Sequence, residues 1–369
     1  MSPRRLRVGV IFGGRSGEHE VSVMSARGIV KALDPERFEP VLIGIDRQGR
    51  WQLLAATALL EQATGPAQQV VGEGALVRVV EPPSVDALER REVGDLSGQF
   101  GVDVFFPIVH GTQGEDGALQ GLLEMAGAPY VGCGVLGSAV GMDKDVSKRL
   151  LRDAGLPIVD FIVARAGRAS AAALGARVAA ELGYPCFVKP ANLGSSVGVS
   201  KVSSPAELPA ALAEAFRYDH KLVIERGVSA REIETAVLGL EHPEVSLPGE
   251  IVPRHEFYSY EAKYLDPNGA ELMVPAPLTA AETERVQALS LAVFAALELE
   301  GLARVDFFLE KGTGNWFVNE VNTLPGFTEV SMYARMWQHS GLSYRDLVTK
   351  LIELALSRFE SRRGLETRR

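Results

Sequence analysis

With 369 residues, 46% of them hydrophobic and 23% charged, the chain has room for two to three ordinary globular domains. A formal net charge of −9 argues against a nucleic-acid or anionic-membrane partner, because proteins that bind either present a basic surface. Cys133 and Cys186, the only cysteines, sit among apolar residues and glycines. They read as buried free thiols in a reducing cytoplasm, not as a disulfide or a metal site. No apolar run approaches the ~20 residues of a membrane span. The opening MSPRRLRVGVIFGG has too short an apolar run for a signal peptide, lacks a small-residue cleavage site and ends in Gly-Gly. It reads as a first strand.

Residues 7–12 form that strand, followed by a helix over 21–33 and a strand over 41–46, so the chain opens as a βαβ unit. Short strands are expected at 51–54 and 77–81. A fully buried strand covers 103–109, a helix 118–125 and a short strand 129–132. The loops 13–20 and 110–117 follow strand C-termini, the edge where open α/β sheets bind ligands. From about residue 137 the pattern changes. An amphipathic helix runs from Ser138 to Gly155, followed by a strand at 158–164, a helix at 170–182 with Ser170 as N-cap, and a strand at 186–190. After the loop ANLGSSVGV come a strand at 199–202, a helix at 205–218 and strands at 222–225 and 232–238. The remainder holds a polar, aromatic segment (HEFYSYEAKYLDPNGAEL), a helix at 280–299, a hairpin, and helices near 331–338 and 344–359. The units divide at about 1–136, 137–227 and 228–369.

Two tempting motifs fail on context. Gly132, Gly134 and Gly137 match a dinucleotide fingerprint but lack the acidic residue ~20 positions on, so they read as a tight crossing between units. GSSVG (194–198) matches a nucleophile elbow, yet a strand rather than a helix follows it. What remains is a flexible Gly/Ser tip of the kind that folds over phosphates.

The hairpin RVDFFLEKGTGNWFVNEVN carries the chemistry. Strand alternation puts Arg304 and Asp306 on one face, and Glu320 and Asn322 on one face. A turn centred near Gly312 sets Arg304 opposite Glu320 and gathers all four groups. Phe307, Phe308, Trp316 and Phe317 imply that the hairpin is largely buried. For any single residue, a solvated salt bridge is the better reading. Together, two buried carboxylates and an amide oxygen suit a hard cation such as Mg²⁺ that also holds phosphates. Lys144 (MDK) and Lys189 (FVKP) point inward, and Glu225 and Glu232 flank a segment where an adenine and a ribose fit. The set makes a nucleoside triphosphate site.

At this point the chain resembles the ATP-grasp enzymes, and within them the D-alanine–D-alanine ligase family. The resemblance runs through GGRSGEHEVS (13–22), HGTQGEDGALQG (110–121), MDK (142–144), VKPANLGSSVGVSKV (188–202), YEAKY (260–264), RVDFFL (304–309) and NEVNTLPGFTEVSMY (319–333). It implies an N-terminal Rossmann-like α/β domain followed by a two-part, α+β ATP-grasp fold. ATP would be held by Lys144, Lys189, Ser195, Ser196, Glu225, Arg226, Val228, Glu232, Lys263, Asn319 and Glu320. Asp306, Glu320 and Asn322 would hold two Mg²⁺ ions, with Mn²⁺ as a substitute. Glu18, oriented through Ser195 and Tyr264, would pair with the ammonium of the first D-alanine, near Val21 and His110. Arg304 and the Gly326 amide would stabilise an oxyanion, and Ser331 and Met332 would receive the second D-alanine. A tyrosine at 264 favours the dipeptide over a D-alanyl-D-lactate product, and the resemblance implies a homodimer. A D-alanine–D-lactate ligase and a catalytically silent ATP-binding regulator are the alternatives.

Overall fold

The computed structural model describes residues 4–55, 75–77, 96–254 and 269–365. The first sheet contains β1 (Leu6–Gly13), β2 (Phe38–Ile45), β3 (Trp51–Leu54), β4 (Ala75–Val77) and β5 (Val104–Pro107), in the order β4-β3-β2-β1-β5. β1 runs parallel to both β2 and β5. A parallel central strand is covered on both faces, which explains its unbroken apolar run. Val8, Val10 and Phe12 enter one core, while Ile11 enters another beneath Phe105 and Leu123. α1 (His19–Ala32), α2 (Leu96–Phe100) and α3 (Ala118–Met125) complete this part. The strand expected at 129–132 reduces to a single bridge between Tyr130 and Phe105.

The helix read from Ser138 to Gly155 is two helices, α4 (Val135–Met142) and α5 (Lys144–Asp153). Asp143 breaks it, because its backbone is extended (ψ 101°) and its carboxylate accepts the Asp145 and Val146 amides. A side chain that caps a new helix outcompetes continuation of the old one. Next comes the antiparallel sheet β6-β9-β7-β8, built from β6 (Phe161–Arg165), β7 (Cys186–Pro190), β8 (Ser200–Val202) and β9 (Lys221–Arg226). α6 (Ala171–Glu181), capped by Ser170 as expected, and α7 (Leu208–Ala215) cover its core.

The third sheet runs β13-β12-β10-β14-β15, from β10 (Ala230–Gly239), β12 (Gly249–Pro253), β13 (Ala270–Met273), β14 (Gly301–Glu310) and β15 (Trp316–Asn322), with β11 (Glu244–Val245) beside β10. α8 (Ala280–Ala296) backs it, while α9 (Met332–His339) and α10 (Tyr344–Arg363) join it to the first sheet's core. α10 is pinned there by buried Arg358, which donates to Tyr130 O (2.7 Å) and Gly132 O and stacks 4.5 Å over the Tyr130 ring. The glycines dismissed as a cofactor fingerprint do make a tight crossing. A Cβ on Gly137 would meet Glu298 O at 2.7 Å, and one on Gly301 would meet Gly132 O at 3.0 Å. Both cysteines are free and buried.

Candidate active site

α1 starts where the first sheet's strands end, and its buried face ties those ends together. His19 Nδ1 lies 2.7 Å from Gly14 O, and Ser22 Oγ accepts the Gly13 amide while donating to Ile108 O. Ser25 Oγ accepts the Phe327 amide (3.1 Å) and lies 3.2 Å from His110 Nε2. The other His110 nitrogen bonds Leu324 O (3.0 Å) and faces Glu115 at 3.6 Å. Burial alone would depress the His110 pKa, but Glu115 and Glu18 outweigh it and raise it above the ordinary histidine value. At the head of α1, Glu18 accepts a hydrogen bond from Ser195 Oγ, 177 positions along the chain. Val21 is buried one turn further on.

Ser195 and Ser196 occupy the tip of the loop between β7 and β8. Both have positive φ (52° and 59°), and the Val197 amide closes a turn onto Gly194 O at 3.2 Å. Left-handed backbone costs a non-glycine residue about 1–2 kcal/mol. Strain of this kind gathers at sites and clamps.

Beneath the loop, Lys144 begins α5 and donates to Leu193 O (2.7 Å), with Glu320 at 3.6 Å. Lys189, at the end of β7, donates to Glu225 Oε2 at 2.6 Å. The second oxygen of Glu225 meets Lys148 at 3.0 Å. Burial opposes ionisation of Glu225, yet the two ammonium groups prevail and hold its carboxyl down at about 2. For Lys148 the balance reverses. Burial, stronger than the pull of Glu225, lowers its pKa. Arg226 follows on β9, stacked 5.6 Å over Phe317, and Glu232 lies on β10 opposite Phe308. Gly227 is squeezed so tightly that a Cβ would sit 2.6 Å from Pro185 O. Val228 is half-buried in the same connection.

The hairpin register differs from the sequence reading. Arg304 pairs with Asn322 and Asp306 with Glu320, because the turn centres between Gly312 and Thr313 and a bulge between Asp306 and Phe307 adds one further residue. Asn319 is the extra residue, so Val318 and Val321 both enter the core while Glu320 and Asn322 share the opposite face. The polar groups therefore share one face as expected, but by a different pairing. Burial is also less complete than the aromatic content suggested. Phe307 is in the core, whereas Phe308, Trp316 and Phe317 are half-exposed. Across β10 the row continues into Glu234, which pairs with Asp306. Arg304 donates to both Asp306 oxygens at 2.7 Å and reaches Glu234 at 3.2 Å. Burial would lower the Arg304 pKa, but these carboxylates raise it.

Among the described residues, no three His, Cys, Asp or Glu side chains form a ready cage for a metal ion. The donor set still fits Mg²⁺. Asp306 and Glu320 face each other, Asn322 adds an amide oxygen one pair along, and Mg²⁺ commonly completes its shell with water and substrate phosphate. Beyond β15, Tyr344 Oη and the Ser25 hydroxyl hold Phe327, which fixes the loop carrying Gly326. Ser331 Oγ accepts the Thr328 amide (3.0 Å) and precedes Met332 at the N-terminus of α9. Lys263 and Tyr264 lie outside the described residues. Sequence reasoning missed Lys148 and Glu234. Lys148 was findable, one helical turn after Lys144 on the same face. Glu234 was not, because only sheet order reveals its partner.

An ATP-grasp fold is what these three sheets and the lysines beneath the β7–β8 loop define, and solved structures of that class match nearly the whole chain. The ligase from Coxiella burnetii, a D-alanine-D-alanine ligase, has a TM-score of 0.80 at 38% identity and covers 98% of this chain and 97% of its own. The VanG D-Ala:D-Ser ligase from Enterococcus faecalis has a TM-score of 0.78 at 32% identity, covering 95% of this chain and 100% of its own. Family models described as D-ala D-ala ligase N-terminus and C-terminus match residues 7–133 and 150–353. D-alanine–D-alanine ligase A of Chromobacterium violaceum is 52% identical over 364 residues, 96% of each chain. That of Escherichia coli strain K12 is 49% identical over 366 residues, 98% of this chain and 99% of its own. The chain belongs to the D-alanine–D-alanine ligase family, whose reaction depends on ATP.

Proposed function

We propose that this chain joins two D-alanine molecules through a D-alanyl phosphate, for peptidoglycan precursor synthesis. The observation that carries the reading is the Ser195–Glu18 contact, which closes the phosphate-covering loop onto the end of the first sheet. A carboxylate is a poor acyl donor. In the first step, a carboxylate oxygen of the first D-alanine attacks the γ-phosphorus, and the bond to the ADP oxygen breaks. Lys144 and Lys189 neutralise the triphosphate, Asn319 and the 225–228 connection hold the nucleoside, and Glu232 receives the ribose. Asp306, Glu320 and Asn322 would hold two Mg²⁺ ions, or Mn²⁺, which supply further charge neutralisation when bound.

In the second step, the amine of the other D-alanine attacks the acyl carbon and phosphate leaves. Glu18 orients the first ammonium, with His110 and Val21 behind it. Arg304 and the Gly326 N–H face the developing oxyanion, and Ser331 and Met332 seat the incoming carboxylate at the start of α9. Ser195, Ser196 and the segment with Lys263 and Tyr264 exclude water, which would otherwise hydrolyse the acyl phosphate. We assign the units 1–136, 137–227 and 228–369 to these tasks and place the enzyme in the cytoplasm as a homodimer. Among the described residues, no helix is long and apolar enough to cross a membrane.

The D-Ala:D-Ser relative makes the second substrate the point of divergence. The test is phosphate release and mass analysis of products with D-alanine alone and with D-serine or D-lactate added. Strictly D-alanine-dependent release yielding the dipeptide supports the reading. Preferential mixed product at neutral pH overturns the specificity, and ATP turnover indifferent to D-alanine overturns the reaction.

A further inference from the structure

We infer that Lys148 is a positioning residue for ATP, sharing the Glu225 carboxylate so that Lys189 stays available to the triphosphate. The inference rests on the ATP site proposed above but not on the identity of the amino acids. Lys148 lies one turn after Lys144 on α5 and is 1% exposed, too deep to touch a phosphate itself. Its ammonium stands 3.0 Å from Glu225 Oε1, while Lys189 takes Oε2 at 2.6 Å. A single carboxylate thus binds two cations.

Burying an ammonium is costly, and a simple Lys189–Glu225 pair would have satisfied Glu225 without it. That simple pair would be neutral, however. Glu225 would then compete with the phosphates for the whole charge of Lys189. With Lys148 protonated, the trio itself carries one net positive charge whose exposed end is Lys189, and Glu320 and Glu232 are the next carboxylates acting on it. Side-chain exposure sets the polarity, at 13% for Lys189 against 1% for Lys148. Each Glu225 oxygen also faces an ammonium of its own, Oε1 that of Lys148 and Oε2 that of Lys189. The arrangement preorganises a cation before any nucleotide arrives.

The test is equilibrium ATP binding by calorimetry, without D-alanine, alongside steady-state kinetics. Lys148→Met should raise the Kd for ATP about tenfold, the scale of one charge-assisted contact, with little change in KM for D-alanine. Lys148→Gln keeps a donor for Oε1 but no charge, and should weaken ATP binding as much. In a Glu225→Gln background the competing carboxylate is gone, so adding Lys148→Met should change ATP affinity less than threefold. Wild-type ATP affinity in Lys148→Gln overturns the proposal, as does an equal loss in both backgrounds, the mark of a purely structural role. Should Lys148→Met not fold, Lys148→Gln alone and with Glu225→Gln give the same comparison. A failed ligase reading would appear as D-alanine-independent turnover and leave these binding outcomes unaffected.

Discussion

Replacing Ser195 with alanine isolates the contact that joins the β7–β8 loop to Glu18, at the end of the first sheet proposed to hold the first D-alanine. The hydroxyl donates to the carboxylate of Glu18, and hydrogen bonds to charged groups contribute about 1.5–3 kcal/mol. At 1.4 kcal/mol per decade, the loss corresponds to a fall of roughly 10- to 100-fold in kcat/KM for D-alanine. The left-handed backbone at 195 is retained in the variant, so its strain does not change. Stability should move by less than about 0.5 kcal/mol, because the residue is half-exposed on a loop. The assay is coupled ADP release with ATP saturating and D-alanine varied, together with thermal melting of both proteins. A kcat/KM within twofold of wild type would refute the reasoning. So would a large loss accompanied by a matching loss of folded protein.

Glu320→Gln should reduce kcat by more than about 100-fold, since it removes a charge from the face proposed for Mg²⁺ and from beside Lys144; unchanged turnover at saturating Mg²⁺ contradicts the assignment. Tyr264→Phe should shift product choice toward D-alanyl-D-lactate with ATP affinity intact, read from product ratios in mixed-substrate incubations. Acid titration tests the buried trio. The Glu225 carboxyl sits at about 2 when folded against an ordinary 4.5, so its stabilisation is present above 4.5 and is lost as pH falls toward 2. At 1.36 kcal/mol per unit, this amounts at most to about 3 kcal/mol, and Glu225→Gln should flatten the melting-temperature profile over that interval. A profile as steep as wild type would count against the ionised carboxyl.

Much of this site was legible because strand and helix periods are simple. α3 and β7 fall on their expected residues, and alternation alone put Arg304, Asp306, Glu320 and Asn322 on one face. The Gly/Ser loop was readable from the absence of a helix after it. The pairing within the hairpin was not, because the turn centres half a residue beyond Gly312 and a bulge at Asn319 moves the register once more, neither of which changes composition. The break at Asp143 was hidden because an aspartate inside an amphipathic run reads as a surface charge. Only the capped amides reveal its task. The row Glu234–Asp306–Glu320 depends on β10 lying beside β14, a long-range pairing that no local pattern encodes. The amino-acid substrate came from resemblance, since nothing in a strand face of carboxylates, an amide and a guanidinium names an alanine.

The central claim is that the first D-alanine carboxylate attacks ATP. Turnover with D-alanine labelled by ¹⁸O in its carboxylate tests it most directly, with the released phosphate analysed by mass. Each phosphate should carry one ¹⁸O, because the attacking oxygen leaves with phosphorus when the amide forms. Unlabelled phosphate alongside dipeptide would contradict it.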